Sequence, residues 1–164
     1  MRFFKKMQIG LGILTSLFLV NAAFADASNF AQFTNSSNQM ASTSVKQVNI
    51  SDNQSSLKIT ADGTYFILAA GQVGASGDKD ITDEYVDLWM TLNGKKIPNS
   101  NARQTVSSKN FTAVLVTQTV MNLKEGDTIG IDMLGSSSSV GLITIPGNSK
   151  MPTIPSIIFS AYKI

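Results

Sequence analysis

From residue 44 to residue 164 the chain is a succession of short runs with a period of two, cut at close intervals by turn residues. Alternation of this kind marks β-strands half buried against a core. The runs are SVKQVNI (44–50), SLKIT (56–60), TYFILAAGQV (64–73), YVDLWMTL (85–92), KKIP (95–98), QTVS (104–107), FTAVLVTQTVMNL (111–123), TIGIDML (128–134), VGLITI (140–145) and SIIFSAYKI (156–164). Asn93-Gly94 predicts a type I′ hairpin turn, whose twist matches that of paired strands. In KEGD (124–127), Gly126 is expected at positive φ and Asp127 as a turn hydrogen-bonder. Three of the four prolines fall within 146–155, which cannot join a central strand. No helical period appears in this region. The expected class is all-β, an antiparallel sandwich or barrel of about eight to ten strands.

Two of these runs carry more apolar residues than one core can take. TYFILAAGQV and FTAVLVTQTVMNL are apolar on both strand faces, whereas a monomeric two-layer sandwich buries one face per strand. The second face needs a partner, and self-association is the expectation. YVDLWMTL raises the same question in a sharper form. Val86, Leu88, Met90 and Leu92 share one face, while the single tryptophan of the chain, Trp89, lies on the other with Tyr85. Tyr85 and Trp89 are therefore candidate interface residues, since tryptophan and tyrosine are enriched at interface hot spots. Packing on the core or under the N-terminal segment, and contact with a ligand, are the alternatives.

The first 25 residues have the anatomy of a secretory signal: a basic start (MRFFKK), an apolar run of 14 residues (MQIGLGILTSLFLV) and the small-x-small site Ala23-Phe24-Ala25. Cleavage is expected before Asp26. The apolar run is shorter than the ~20 residues that cross a bilayer, so no membrane span is expected after cleavage. No cysteine follows it to take a lipid. Residues 26–43, polar and small, are expected to form an N-terminal arm or linker, with a short strand near Phe30 and Phe33 as a variant. Residues 44–164 form the expected domain. Loss of Arg2, Lys5 and Lys6 from 13 basic residues leaves them nearly balanced against 11 acidic ones. Neither nucleic acid nor an anionic membrane is implied as a partner.

Two residue types are missing altogether. Without cysteine, no disulfide braces this exported domain. Without histidine, Ser-His-Asp and Cys-His nucleophilic sites, histidine bases and most zinc or copper sites are excluded. Carboxylate chemistry is what remains. The loop GDKDITDE gathers Asp78, Asp80, Asp83 and Glu84, hard oxygen ligands that make it a calcium candidate. It lacks EF-hand spacing and has Lys79 inside it, which fits a solvated acidic loop. A carboxylate-dependent hydrolase would need paired acids in a built pocket, and no pocket-forming aromatics accompany these.

The order of motifs resembles the complement C1q and tumour-necrosis-factor superfamily. DGTYFILAAGQV resembles its Gly-x-Tyr-Phe strand, VDLWMTLNGKKI the strand and hairpin that follow, LKEGDTIGIDM its Leu-x-x-Gly-Asp turn and next strand, and PSIIFSAYKI its closing strand. The resemblance spans about residues 44–164. It implies a jelly-roll β-sandwich of about ten strands, a homotrimer packed through one sheet of each protomer, and a non-catalytic recognition module. No collagen-like stalk is present, so stalk-dependent functions do not transfer. The expected function is that of a secreted binding protein, extracellular or periplasmic, recognising a surface protein or glycan. A structural trimerising component of an exported assembly is the alternative. No cofactor is expected apart from the calcium candidate.

Overall fold

The computed structural model describes residues 30–77 and 80–164. The proposed signal segment, Asp78 and Lys79 lie outside the described residues. Twelve strands follow in order: β1 (Phe30–Asn35), β2 (Gln39–Met40), β3 (Lys46–Gln47), β4 (Ser56–Lys58), β5 (Gly63–Ala75), β6 (Glu84–Leu92), β7 (Lys95–Lys96), β8 (Ala102–Val106), β9 (Thr112–Leu123), β10 (Thr128–Gly135), β11 (Val140–Leu142) and β12 (Ile157–Lys163).

The strands form two antiparallel sheets. In the first, β5 pairs with β9 along its length, from Gly63↔Leu123 to Gly74↔Thr112. Its other side pairs first with β12 and then with β11, which carry β1 and β2 respectively. In the second, β6 and β10 pair at the centre, from Leu92↔Ile129 to Val86↔Gly135. β3 and β4 flank β10, and β7 and β8 flank β6. The chain changes sheet after β2, β4, β5, β8, β9 and β10. The result is the expected jelly-roll sandwich.

Turn chemistry fixes the hairpins. Asn93 and Gly94 sit at φ 50° and 75°, the paired positive values of a type I′ turn. Gly126 sits at φ 92°, where a Cβ would be strained. The two turns are tied together. The Asn93 side-chain amide donates to Asp127 Oδ1 at 2.8 Å, and its oxygen accepts from the Thr128 backbone N–H at 2.8 Å.

The core lies between the sheets. Ile67, Ala69, Ile157 and Phe159 from the first face Val86, Leu88, Met90, Ile129, Ile131 and Met133 from the second, all essentially without solvent contact. Burying each large side chain contributes about 1.5–3 kcal/mol. The phase expected for β6 holds, with Val86, Leu88 and Met90 inward and Trp89 outward.

The N-terminal segment carries the short strand expected near Phe30 and Phe33 and is no free arm there. Residues 30–35 form a full edge strand, each paired with β12 from Phe30↔Tyr162 to Asn35↔Ile157. Phe33 points inward against Phe159, with 6.5 Å between ring centroids. The folded unit thus reaches back at least to Phe30. Phe33 packs against the core, and the strand is tied down by its pairing to β12 and by Ser156, whose backbone N–H and hydroxyl both donate to the Asn35 carbonyl.

Candidate functional site

Two solvent-facing surfaces stand out, one on each sheet. On the first sheet the outward positions align in rows across four strands. One row is Phe30, Tyr162, Phe66 and Val120; the next is Gln32, Ser160, Leu68 and Gln118; the third is Thr34, Ile158, Ala70 and Val116. None is charged. The Tyr162 ring lies between Phe66 (5.1 Å) and Phe30 (6.1 Å), measured between centroids.

β9 shows most directly that this face is unusual. Its inward positions include Thr117, buried, and Thr119, half-buried. Its valines point out: Val114 is 59% exposed, Val116 44% and Val120 55%. Leu115 and Leu123 reach the core, with Met121 packed against it, and these fix the phase that turns the valines out. Thr117 is accommodated inside because its hydroxyl donates to the Ser100 carbonyl. Among the described residues β9 also has a single pairing partner, so its far edge is open.

The second surface lies on the outer face of the other sheet, along β6. Two cations from the flanking strands lie over its aromatic rings. The Arg103 guanidinium sits 3.9 Å from the Tyr85 ring centroid, and the Lys96 ammonium 4.7 Å from that of Trp89. Between the rings, Asp87 accepts two hydrogen bonds from Arg103, each 2.7 Å. This fork holds the Arg103 guanidinium even more firmly protonated than usual.

Trp89 itself is buried, although it faces away from the core. Lys96 and the segment after it cover the ring, so the cover is neither the N-terminal segment nor a second layer. Beside the ring is a groove of about 350 Å³, bordered by Asp87, Lys96, Pro98, Asn99 and Asn101. Its wall is anchored by buried Ser100. That hydroxyl accepts from the Met90 backbone N–H at 3.0 Å and donates to the Ile97 carbonyl at 2.8 Å. Asn99 is held at φ 61°.

Across the ladder from Trp89 lies Asp132. Burial pushes its carboxyl above the usual aspartate value, while Lys96 and the indole N–H draw it partway back. The indole nitrogen is enclosed without a well-formed hydrogen bond, so the Asp132 contact is electrostatic and not a closed donor–acceptor pair.

The candidate calcium loop is only partly drawn together. Asp80 and Asp83 are exposed, Asp83 at φ 54°. Glu84 turns away to accept a hydrogen bond from Ser136 Oγ. Asp78 lies outside the described residues. Among the described residues no group of three or more acidic side chains could hold a metal ion. Nor does any described helix have the length and apolarity to cross a membrane.

No family model matches the chain, and no curated protein matches it in sequence. Among solved structures it is similar to the globular domain of zebrafish complement 1qA protein, at 13% identity and a TM-score of 0.48, covering 83% of this chain and 96% of that one.

Proposed function

We propose that the protein is an exported, non-catalytic binding module that assembles as a homotrimer through the outer face of its first sheet. The observation that carries the reading is the outward phase of β9, with Val114, Val116 and Val120 exposed on a face that has no charge in three successive rows. Large contiguous apolar surfaces are rare on monomers and mark sites of association. A neutral, aromatic-rich face of this kind is the composition found at the centre of protein interfaces. Three copies are what the family-like order of motifs implies. Tyr85 and Trp89 lie on the opposite sheet, beneath cations of their own chain, so the proposed assembly surface is a different one from theirs.

Recognition of a surface protein or glycan is left to the second sheet and the loops, which assembly through the first sheet leaves accessible. The absence of histidine and cysteine supports a binding role over nucleophilic catalysis. Light scattering on the chain from Asp26 onward tests the assembly. The expected mass is that of three copies, and a stable monomer overturns the reading.

A further inference from the structure

We propose that the groove beside Trp89 binds a neutral, hydroxyl-rich ligand, a short saccharide, with the Lys96 side chain as a displaceable cover over the ring. The inference rests on the reading of the protein as a binding module, and gives that module a site.

The cover is the first observation. Trp89 is only 7% exposed on the solvent side of its sheet, and what lies above its ring is the ammonium of Lys96, itself an exposed residue. Among the described residues Lys96 makes no salt bridge; the one salt bridge there joins Arg103 to Asp87. A cation–π contact at an exposed site is worth about 0.5–1 kcal/mol. Lifting the lysine costs that contact and part of its attraction to Asp132, with no direct ion pair to break, and it uncovers a flat indole face on which the C–H face of a sugar ring can lie. The neighbouring Tyr85 is different, because Arg103 above it is locked by its fork to Asp87. One ring of the pair has a removable cover and the other does not.

The polar groups are the second observation. Among the described residues, the side-chain amides of Asn99 and Asn101 make no hydrogen bond within the chain, and both border the groove. They offer donors and acceptors side by side. Asp87 keeps lone pairs beyond the two that Arg103 uses, and Lys96 keeps its donors. Sugar hydroxyls, each a donor and an acceptor, match such a mixed set.

Charge decides the class of ligand. Asp87 is neutralised by Arg103, and Lys96 faces Asp132. Two acids against two bases leave the groove without a net charge to favour an anion or a cation. The volume of about 350 Å³ lies at the low end of small-ligand sites and suits one or two sugar rings. The wall is also preorganised, since Ser100 ties it to Met90 and Ile97.

Trp89 is the single tryptophan, so its emission reports on this groove alone. The test is a titration of the oligomeric protein with chitotriose, cellotriose, maltotriose and mannotriose, with trigalacturonate as the anionic comparison. A saturable change in Trp89 emission is expected with at least one neutral trisaccharide, insensitive to added salt and accompanied by protection from acrylamide quenching. The double variant N99A/N101A should weaken it at least tenfold while circular dichroism stays unchanged. K96A should raise acrylamide quenching of the free protein. Silence with all four neutral sugars, tighter binding of trigalacturonate, or full affinity in N99A/N101A overturns the proposal. Mass measured on the same samples separates the two readings: a trimer with a silent groove sinks this inference alone, and a saccharide-binding monomer sinks the assembly alone.

Discussion

The rings of Phe66 and Tyr162 lie 5.1 Å apart on neighbouring strands, and both face away from the core. With Phe30 beyond Tyr162 and Val120 beyond Phe66, they complete a row across the whole sheet that no residue of the same protomer covers among those described. Aromatic pairs contribute about 0.5–1.5 kcal/mol beyond their buried area; Tyr162 is 37% exposed and Phe66 half-buried, so part of that area remains for a partner to cover.

Replacing Val116 by Lys puts a charge on this face, at its β9 edge. Val116 is already 44% exposed, so the protomer fold should change by no more than about 0.5 kcal/mol. Assembly should fail. Light scattering is expected to give a single copy for V116K at concentrations where the parent is trimeric, with matching far-ultraviolet circular dichroism. A V116K trimer would move the interface elsewhere.

Phe159→Ala removes the largest side chain sealed between the sheets, together with the contact to Phe33 that seats β1. A loss of about 3–5 kcal/mol in unfolding free energy is expected. Urea denaturation measures it. A loss under about 1 kcal/mol would mean that the core collapses around the gap, contrary to the close packing of protein interiors.

Asp132 should make stability fall as pH rises. Its folded carboxyl holds its proton above the ordinary value of 3.8, because burial disfavours the charge. The folded state therefore binds more protons than the unfolded one between that value and the raised one, and stability is lost as pH climbs through the window. Asp132→Asn removes the dependence. The variant should gain on the parent above the window and not below it, as read from urea midpoints across pH. Equal differences at both ends would show that Asp132 titrates as an ordinary surface acid.

Asp127 should act with the opposite sign. The hydrogen bond from Asn93, then the backbone N–H of Lys124, hold its carboxyl below the usual range. Its contribution is present above 3.8 and is lost as pH falls through the depressed value. Asn93→Gly keeps the positive-φ turn and deletes the bond. The variant should be less stable near neutrality, with the gap narrowing in acid. A gap that does not change with pH would detach Asn93 from the Asp127 titration.

Much of this molecule was legible because period two and turn chemistry act locally. Every run from 44 onward overlaps one of the strands, and Asn93-Gly94 and Gly126 adopt the backbone that their residue types favour. β1 was harder to read, since FAQFTN offers only the half-buried Phe33 to the core, buries the polar Asn35, and is held by pairing to β12, more than a hundred residues away. The proposed assembly face was half legible. That β9 is apolar on both sides is plain in the sequence. Which side faces out depends on Leu115 and Leu123 meeting the core, and on Ser100 receiving the Thr117 hydroxyl, both of which are tertiary facts. That Trp89 lies on the face of β6 away from Val86, Leu88 and Met90 followed from the alternation of the strand. The cover over Trp89 was not foreseen, because Lys96 reaches it through the pairing of β6 with β7.

The open side of β9 has a further consequence, for the time before the chains meet. Twelve consecutive residues are paired on one side only, with no proline, no charge and no bulge to deter another strand. A newly folded protomer is thus exposed to a second-order race between the proposed assembly and indiscriminate strand addition. Dilution slows both, while overproduction feeds the less selective one. Yield on refolding should therefore pass through an optimum in protein concentration, and lysine at the outward β9 positions should trade assembly for solubility.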